Sequence, residues 1–549
     1  MEITFYNPST ITTALIAVVL VLCHGLYMAA LPKPLPGIPY RHDGARSILG
    51  DGPAVMKHAK SSSDTPVEWM AAQFIELDSP IYQMFLPFKP PQVFISDHRE
   101  GLDIMLRRAK DFDHSKSFAD AFRGTLPNSH LTMATKDPRF KPQRRLVADI
   151  MTSSFLTNVA ARHVYKQSLL LVDLWRAKSR LVPGHPFEAT DDINHTALDA
   201  IWAVAFGTDI GTVQAQCQAL EKNLPEAYEA ITVLAHDLEA AAHTLFPRLA
   251  HWLRRQTRRW KRAKISKDRL LQDRLDDAKA RFLNTESRED MVDCATDHMV
   301  FREHQAAIKE GRTPQYDTPG AKDELLTFLL AGHETTSTAI RWAVKFLADH
   351  PEVQSKLRST LRTVYPDEQL PSGAEIARAN IPYFDATIEE VLRLGLTIPG
   401  QTRIALHDTE VLGYAIPKGV EVSFMCNGPG FVRPDPFAAK DKAVPEWDQA
   451  TIGAFEPDRW LKRNEAGKTV FDANAGPTSQ FGAGVRGCFG RKLAYLELRI
   501  MFTVLIWHFE FPELDDSLSS YNAALASTRI PVKCYVAPIE LPIQKDRVL

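Results

Sequence analysis

The sequence predicts a mainly α-helical body with a small β-lobe, set behind an N-terminal helix long enough to cross a membrane. Three observations carry this expectation. No charged residue occurs from Ile11 to Leu31. Apolar residues recur with helical periodicity from about Arg144 to Leu394. Short strand-like runs flank that region, near Gln92–Ser96 and around Arg403–Val422, and Ile416-Pro417-Lys418-Gly419 punctuates the second as a turn.

The N-terminal run is centred on Leu15, Ile16, Val18, Val19, Leu20, Val21 and Leu22. At ~1.5 Å per residue it reaches about 30 Å, the thickness of a bilayer's hydrocarbon core. A cleaved signal peptide would want a basic start, a shorter run and a small-residue cleavage site; the only charge before this run is Glu2. Residues 1–31 are therefore expected to be a membrane anchor. Residues 32–40, with Pro32, Pro34, Pro36 and Pro39, form a stiff linker, and residues 41–549 form the main body. Lys33 and Arg41 follow the run, which places the body on the cytoplasmic side. There the Asn194-His195-Thr196 sequon stays unused.

The 549 residues carry a formal charge of −2, so no charge excess points to nucleic acid. The six cysteines are scattered without a CxxC pair, which argues against a disulfide framework and a structural zinc site. One stretch is strongly basic, from Arg254 and Arg255 through Arg258, Arg259, Lys261, Arg262 and Lys264 to Lys267. It reads as a solvated helix face, or as a surface for lipid headgroups or an acidic partner.

Only Cys488 has neighbours that set it apart. It lies in Phe481-Gly482-Ala483-Gly484-Val485-Arg486-Gly487-Cys488-Phe489-Gly490, ahead of a segment whose Leu493, Leu496, Ile500 and Val504 share one helical face. A cysteine at a helix N-terminus meets unpaired N–H groups and the positive dipole end, which favour a thiolate. The glycines let the backbone turn tightly and lie against a flat cofactor, and Arg486 can pair with a carboxylate on it. Gly482, Gly484 and Gly487 also satisfy a dinucleotide fingerprint, with Glu510 at a suitable distance, but Pro477-Thr478-Ser479-Gln480 does not read as the strand that motif requires.

Position for position the loop resembles the cysteine signature of the cytochrome P450 family, F-G-x-G-x-R-x-C-x-G. The resemblance extends from about Pro32 to the C-terminus. It implies the P450 fold, heme b with Cys488 as the axial iron ligand, and Phe481, Gly482 and Arg486 against the cofactor.

Ala331-Gly332-His333-Glu334-Thr335-Thr336 lies within a helical segment opened by Pro319 and Gly320 and closed by Pro351. A glycine inside a helix costs about 1 kcal/mol relative to alanine, and buried polar groups cost more if unpaired. Such violations mark functional sites. The run resembles the family's A/G-G-x-E/D-T motif. Gly332 is expected to make room for a diatomic ligand, Thr335 to hydrogen-bond it, and Glu334 to feed protons through water. Ser337 stands where a zinc motif would need its second histidine.

Glu390 and Arg393 lie at i and i+3 on one helix, and Arg459 follows in Phe455-Glu456-Pro457-Asp458-Arg459-Trp460. The resemblance implies a structural network of these three that holds the cysteine loop. Phe140-Lys141-Pro142-Gln143-Arg144 resembles the family's W-x-x-x-R with phenylalanine in place of tryptophan, so one indole contact is lost. Arg144, Arg403 and Arg486 are then expected to balance two haem propionates.

The resulting expectation is a haem-thiolate monooxygenase of fungal microsomal type, an oxidoreductase that inserts one atom of O2 into a hydrophobic small molecule during secondary-metabolite biosynthesis. It implies single-pass residence in the endoplasmic reticulum membrane and contact with membrane lipid. Electrons would come from NADPH-cytochrome P450 reductase, with cytochrome b5 as a further candidate donor. The pocket is expected from Phe112–Leu131, Phe328, Leu329, Ile398–Thr402 and a loop near Ala526–Ile530. The rival readings are a haem-thiolate isomerase or peroxygenase without a reductase, and a non-catalytic haem sensor or carrier. The Glu334-Thr335 pair argues against both.

Overall fold

The periodic segments become helices packed around one large apolar core in the computed structural model, which describes residues 8–61, 65–217, 226–283, 291–366, 369–437 and 447–542. Helix α1 spans Pro8–Ala30, α2 Phe140–Arg145, α3 Ala161–Leu181, α4 Thr190–Phe206, α5 Arg258–Leu283, α6 Pro319–Asp349, α7 Pro382–Gly395 and α8 Arg491–His508. Helices α3, α4, α6 and α8 meet in the core around Trp175, Ile201, Trp342, Phe346, Phe502 and Leu505. Burying each large side chain contributes about 1.5–3 kcal/mol.

Helix α6 starts where Thr318 Oγ1 accepts the N–H of Ala321 at 3.1 Å, with Pro319 preset for the first turn. It ends at His350, just before Pro351. Its neighbour α4 comes very close at one point. A Cβ built on Gly332 would sit 2.7 Å from Ile201 Cδ1, so any larger residue there would force the Ile201 side chain to shift. The missing side chain of Gly332 thus lets Ile201 on α4 pack directly against this turn of α6.

The β-lobe is one five-stranded sheet. Strands β1 Ile81–Met84, β2 Gln92–Ile95, β3 Phe112–His114, β4 Gly400–Ala405 and β5 Glu421–Met425 are ordered β1-β2-β5-β4-β3. Only β2 and β5 run parallel; the other pairs are antiparallel. The expected turn is present, with Gly419 at φ +86° and Val420 N–H donating to Pro417 O at 3.2 Å. A hairpin of β6 Ala523–Leu525 and β7 Arg529–Pro531 lies against α6.

The N-terminal expectation is met in part. Helix α1 forms over the apolar run, and Leu15, Val21 and Leu26 are 60%, 71% and 71% exposed. Among the described residues, however, no helix is long and apolar enough to cross a membrane. The proline-rich linker is not free either. Gln83, 1% exposed, accepts from Leu35 N at 2.7 Å and donates to Leu35 O at 2.9 Å and Ile38 O at 2.8 Å, fastening residues 35–38 to the edge of the sheet. Replacing Gln83 by alanine is expected to cost about 1–3 kcal/mol, because these backbone groups lose their partner. Urea denaturation would read that loss, and tryptic cleavage after Arg41 should accelerate; unchanged stability and cleavage would contradict the fastening.

Candidate functional site

The cysteine loop is built by close backbone approach. Gly484, at φ +67°, passes Met105 so closely that a Cβ would lie 2.3 Å from its carbonyl oxygen, and Gly482, at φ +59°, meets the Gln401 side chain. Cys488 N–H donates to Phe481 O at 2.7 Å, which closes the loop. Gly490 then caps α8, so Cys488 stands just before a helix N-terminus, as expected. One side of Cys488 is solvent-accessible, yet it is set deep among protein atoms, and this burial pushes its thiol up. The N–H groups of Gly490 and Arg491 and the charges of Arg144 and Arg491 oppose the rise. A bound metal ion would remove the proton outright.

The three predicted arginines converge near this loop. Arg144, on α2, donates to the carbonyls of Val485 and Gly487, with its guanidinium 5.5 Å from the Phe489 ring centroid. Arg486 donates to Thr135 Oγ1 at 2.7 Å and to Met133 O, and pairs with Asp113 at 3.2 Å. Its guanidinium lies 4.2 Å from the Phe140 centroid, so the phenylalanine that replaces tryptophan supports Arg486 by its face. Arg403, on β4, is lowered to about 10 by burial and the neighbouring charge of Arg486.

Asp113 and His114 lie in the expected pocket segment Phe112–Leu131, but their place among the arginines was not foreseen. His114 pairs in register with Arg403 across β3 and β4, and neither ring nitrogen has a hydrogen-bond partner, Nδ1 lying 3.6 Å from Asp113. Three guanidiniums and an imidazole gathered around the one carboxylate of Asp113 leave an excess of donors and positive charge. That set suits a group carrying two carboxylates, as heme b does.

On α6 the accessible strip is short. Ala331 is exposed and Gly332 to Thr335 are half-buried in a helix whose following turns are buried. Thr335 Oγ1 donates to Ala331 O at 2.8 Å, the one-turn spacing expected for that pair. Glu334 turns toward the β6–β7 hairpin and accepts from Ser527 Oγ at 2.6 Å and Thr528 Oγ1 at 3.4 Å. The expected pocket segment is pinned to the same helix, with Asn128 N–H donating to Asp323 and His130 N–H to Glu324, each at 2.7 Å. Phe328 is half-buried, but Leu329 is 0% exposed and belongs to the core rather than to a pocket.

Helices α6 and α8 are joined by a buried pair that was not foreseen. Thr336 Oγ1 donates to Glu497 Oε2 at 2.6 Å, and Glu497 Oε1 has no partner among the described residues. The sequence signal was a lone acid on the apolar face of α8.

The Glu390 network forms as expected. Glu390 accepts from Arg393 at 2.8 and 2.7 Å, from Arg459 Nε at 3.0 Å and from Trp460 Nε1 at 2.8 Å. Arg393 also donates to the carbonyls of Phe431, Ile452 and Ala454, so the direct partners of the network lie in segments 431 and 451–460 rather than in the cysteine loop.

With this geometry in place, comparison decides the family. The cytochrome P450 family model matches residues 69–535. The chain belongs to the cytochrome P450 family. It is 34% identical to a cytochrome P450 monooxygenase of Pestalotiopsis microspora, over 98% of this chain and 100% of that protein. It is also 34% identical to the cytochrome P450 monooxygenase TRI13 of Fusarium sporotrichioides, over 93% and 96%. A third relative, the cytochrome P450 monooxygenase xilC of Penicillium crustosum, is 32% identical over 91% of each chain. The P450 is thus a haem-thiolate monooxygenase, and proteins of this family bind heme b through a cysteine thiolate.

Burial pushes the Glu497 carboxyl up from 4.5 to about 8. Its neutral form therefore stabilises the fold below the lower value, and that contribution is lost as pH rises through the upper one. Between pH 5 and 8 the stability of the natural P450 relative to Glu497→Gln should fall by on the order of 2–4 kcal/mol, since each tenfold change in proton affinity corresponds to about 1.4 kcal/mol. Denaturant titrations across that range would check it; parallel pH profiles would contradict it.

Proposed function

We propose that Cys488 ligates the haem iron, that Arg144, Arg403 and Arg486 with His114 hold the propionates, and that Thr335 and Glu334 manage protons on the opposite side. The observation that supports this most is the pairing of two elements. Cys488 stands at the start of α8, and the accessible Ala331–Thr335 strip lies on α6, which packs against α8 and is tied to it by Thr336 and Glu497. Phe481 and Gly482 shape the loop around the sulfur. The cofactor supplies the one-electron and oxygen chemistry that amino acids lack. Thr335, its hydroxyl anchored on Ala331 O, holds a donor at a fixed point on the accessible strip. Glu334, held by the Ser527 and Thr528 hydroxyls, one on each carboxylate oxygen, offers an ionisable group beside the strip that can pass a proton to it.

The proposed substrate is a hydrophobic small molecule of fungal secondary metabolism, oxidised with O2 and electrons from NADPH-cytochrome P450 reductase, with cytochrome b5 as a further donor. The half-buried Phe328 and Ile398 are consistent with an apolar ligand. The proposed place of work is the cytoplasmic face of the endoplasmic reticulum membrane. Its support is the exposed apolar surface of α1, together with Leu249, Trp252 and Leu253, which are 53–59% exposed beside the basic stretch at the start of α5.

Thr335→Ala is expected to leave haem binding intact while lowering the share of consumed NADPH that ends in product by roughly 10-fold or more, the scale of a lost proton-transfer group. Product and NADPH measured together would check this. Unchanged coupling would remove the proton role and favour a use of the haem that needs no proton delivery.

A further inference from the structure

Helix α7 carries two adjacent buried glutamates, and their partners divide cleanly. Glu390 serves the segments around Phe431 and Thr451–Trp460. Glu389, 1% exposed, serves the cysteine loop itself. Its Oε1 accepts from Thr478 Oγ1 at 2.9 Å, upstream of Cys488, and its Oε2 accepts from Tyr495 Oη, downstream of Cys488 on α8. One carboxylate thus joins the two flanks of the loop.

The connection continues to the sulfur's surroundings. The Tyr495 ring lies 5.1 Å from the Phe481 ring, and the Arg491 guanidinium sits 5.7 Å from the Phe481 centroid and 5.5 Å from that of Tyr495. Phe481 is the residue whose carbonyl accepts Cys488 N–H, and Arg491 is one of the two cations that act on the Cys488 sulfur. Moving Tyr495 would therefore move both the ring behind the loop and the charge that favours the thiolate. Burial pushes the Glu389 carboxyl up, while the Tyr495 and Thr478 hydroxyls and the charge of Arg491 oppose the rise. A buried carboxyl with this many converging donors is costly to assemble, and deleting it removes the one group that holds Thr478 and Tyr495 together.

We propose that Glu389 is the positioning residue of the cysteine loop: by joining Thr478 to Tyr495 it fixes the Phe481–Arg491 stack and hence the environment of the Cys488 thiolate. This rests on the assignment of Cys488 as iron ligand. Glutamine at this position keeps the size, and its amide oxygen and nitrogen can still engage one hydroxyl each, whereas leucine removes the link between Thr478 and Tyr495 altogether.

The test uses the full-length haem-loaded protein and reads two quantities besides turnover: the fraction of the reduced, carbon-monoxide-bound form that shows the thiolate's red-shifted Soret band, and the midpoint potential of the iron. Glu389→Leu is expected to raise the fraction lacking that band roughly 10-fold and to shift the potential, and Tyr495→Phe, which removes only one hydroxyl, should do so to a lesser degree. Glu389→Gln should restore both readouts. Leu505→Ala, in the core of the same helix as Tyr495, should lower thermal stability while leaving both readouts alone. Natural-type band and potential in Glu389→Leu, or in Tyr495→Phe where the leucine variant does not fold, would overturn the proposal, as would Leu505→Ala shifting them equally. If the natural protein itself lacks the red-shifted band, the Cys488 assignment fails first, which separates the two failures.

Discussion

The Glu390–Arg393 pair is removed from water almost entirely, with the two side chains 0% and 1% exposed. A buried ion pair is costly unless each remaining donor and lone pair finds a partner. Here each does: Arg459, Trp460 and the Glu456 N–H complete the carboxylate, and three backbone carbonyls complete the guanidinium. Breaking any one leaves charge stranded in the interior, so segments far apart in sequence are held at one place on α7. The neighbouring Glu389 extends the same helix to the cysteine loop, and Glu497 on α8 reaches back to α6. Glu390 thus fixes the 431 and 451–460 segments on α7, Glu389 ties α7 to both flanks of the cysteine loop, and Glu497 ties α8, which follows that loop, to the helix that bears the accessible Thr335 strip.

Around that frame, the charge distribution is asymmetric. On the loop's side of the β-lobe, Arg144, Arg403 and Arg486 outnumber Asp113, and Arg403 is held low by burial and its like-charged neighbour. Like charges brought together by a fold are a standing cost. A group with two carboxylates would offset that cost, and binding it would at the same time fix the plane facing the sulfur. The aromatic faces of Phe140 and Phe489 keep two of these guanidiniums in position.

What can be read from the sequence follows the range of the interactions. The cysteine signature, the Glu390–Arg393 spacing and the Thr335–Ala331 turn are local patterns, and each forms as the local pattern requires. Phe140 is visible in the sequence only as a lost indole, because its ring contact with Arg486 joins segments far apart in the chain. That Ile201, on another helix, packs against Gly332 is likewise invisible to periodicity. The place of Asp113 and His114 among the arginines escapes notice because it depends on β3 pairing with β4, a register set by residues nearly three hundred positions away. The division of labour between Glu389 and Glu390 likewise depends on which loops return to α7. The N-terminal run illustrates the opposite limit: its composition is plain, yet among the described residues no helix is long and apolar enough to cross a membrane.

Every role proposed for the site depends on the sulfur of Cys488 being the iron's ligand. The most direct measurement is the absorption spectrum of the reduced, carbon-monoxide-bound protein beside a Cys488→Ala variant. Thiolate ligation predicts the family's red-shifted Soret band in the natural protein and its loss in the variant. A band typical of histidine-ligated haem, or a variant that keeps the red-shifted band, would contradict it.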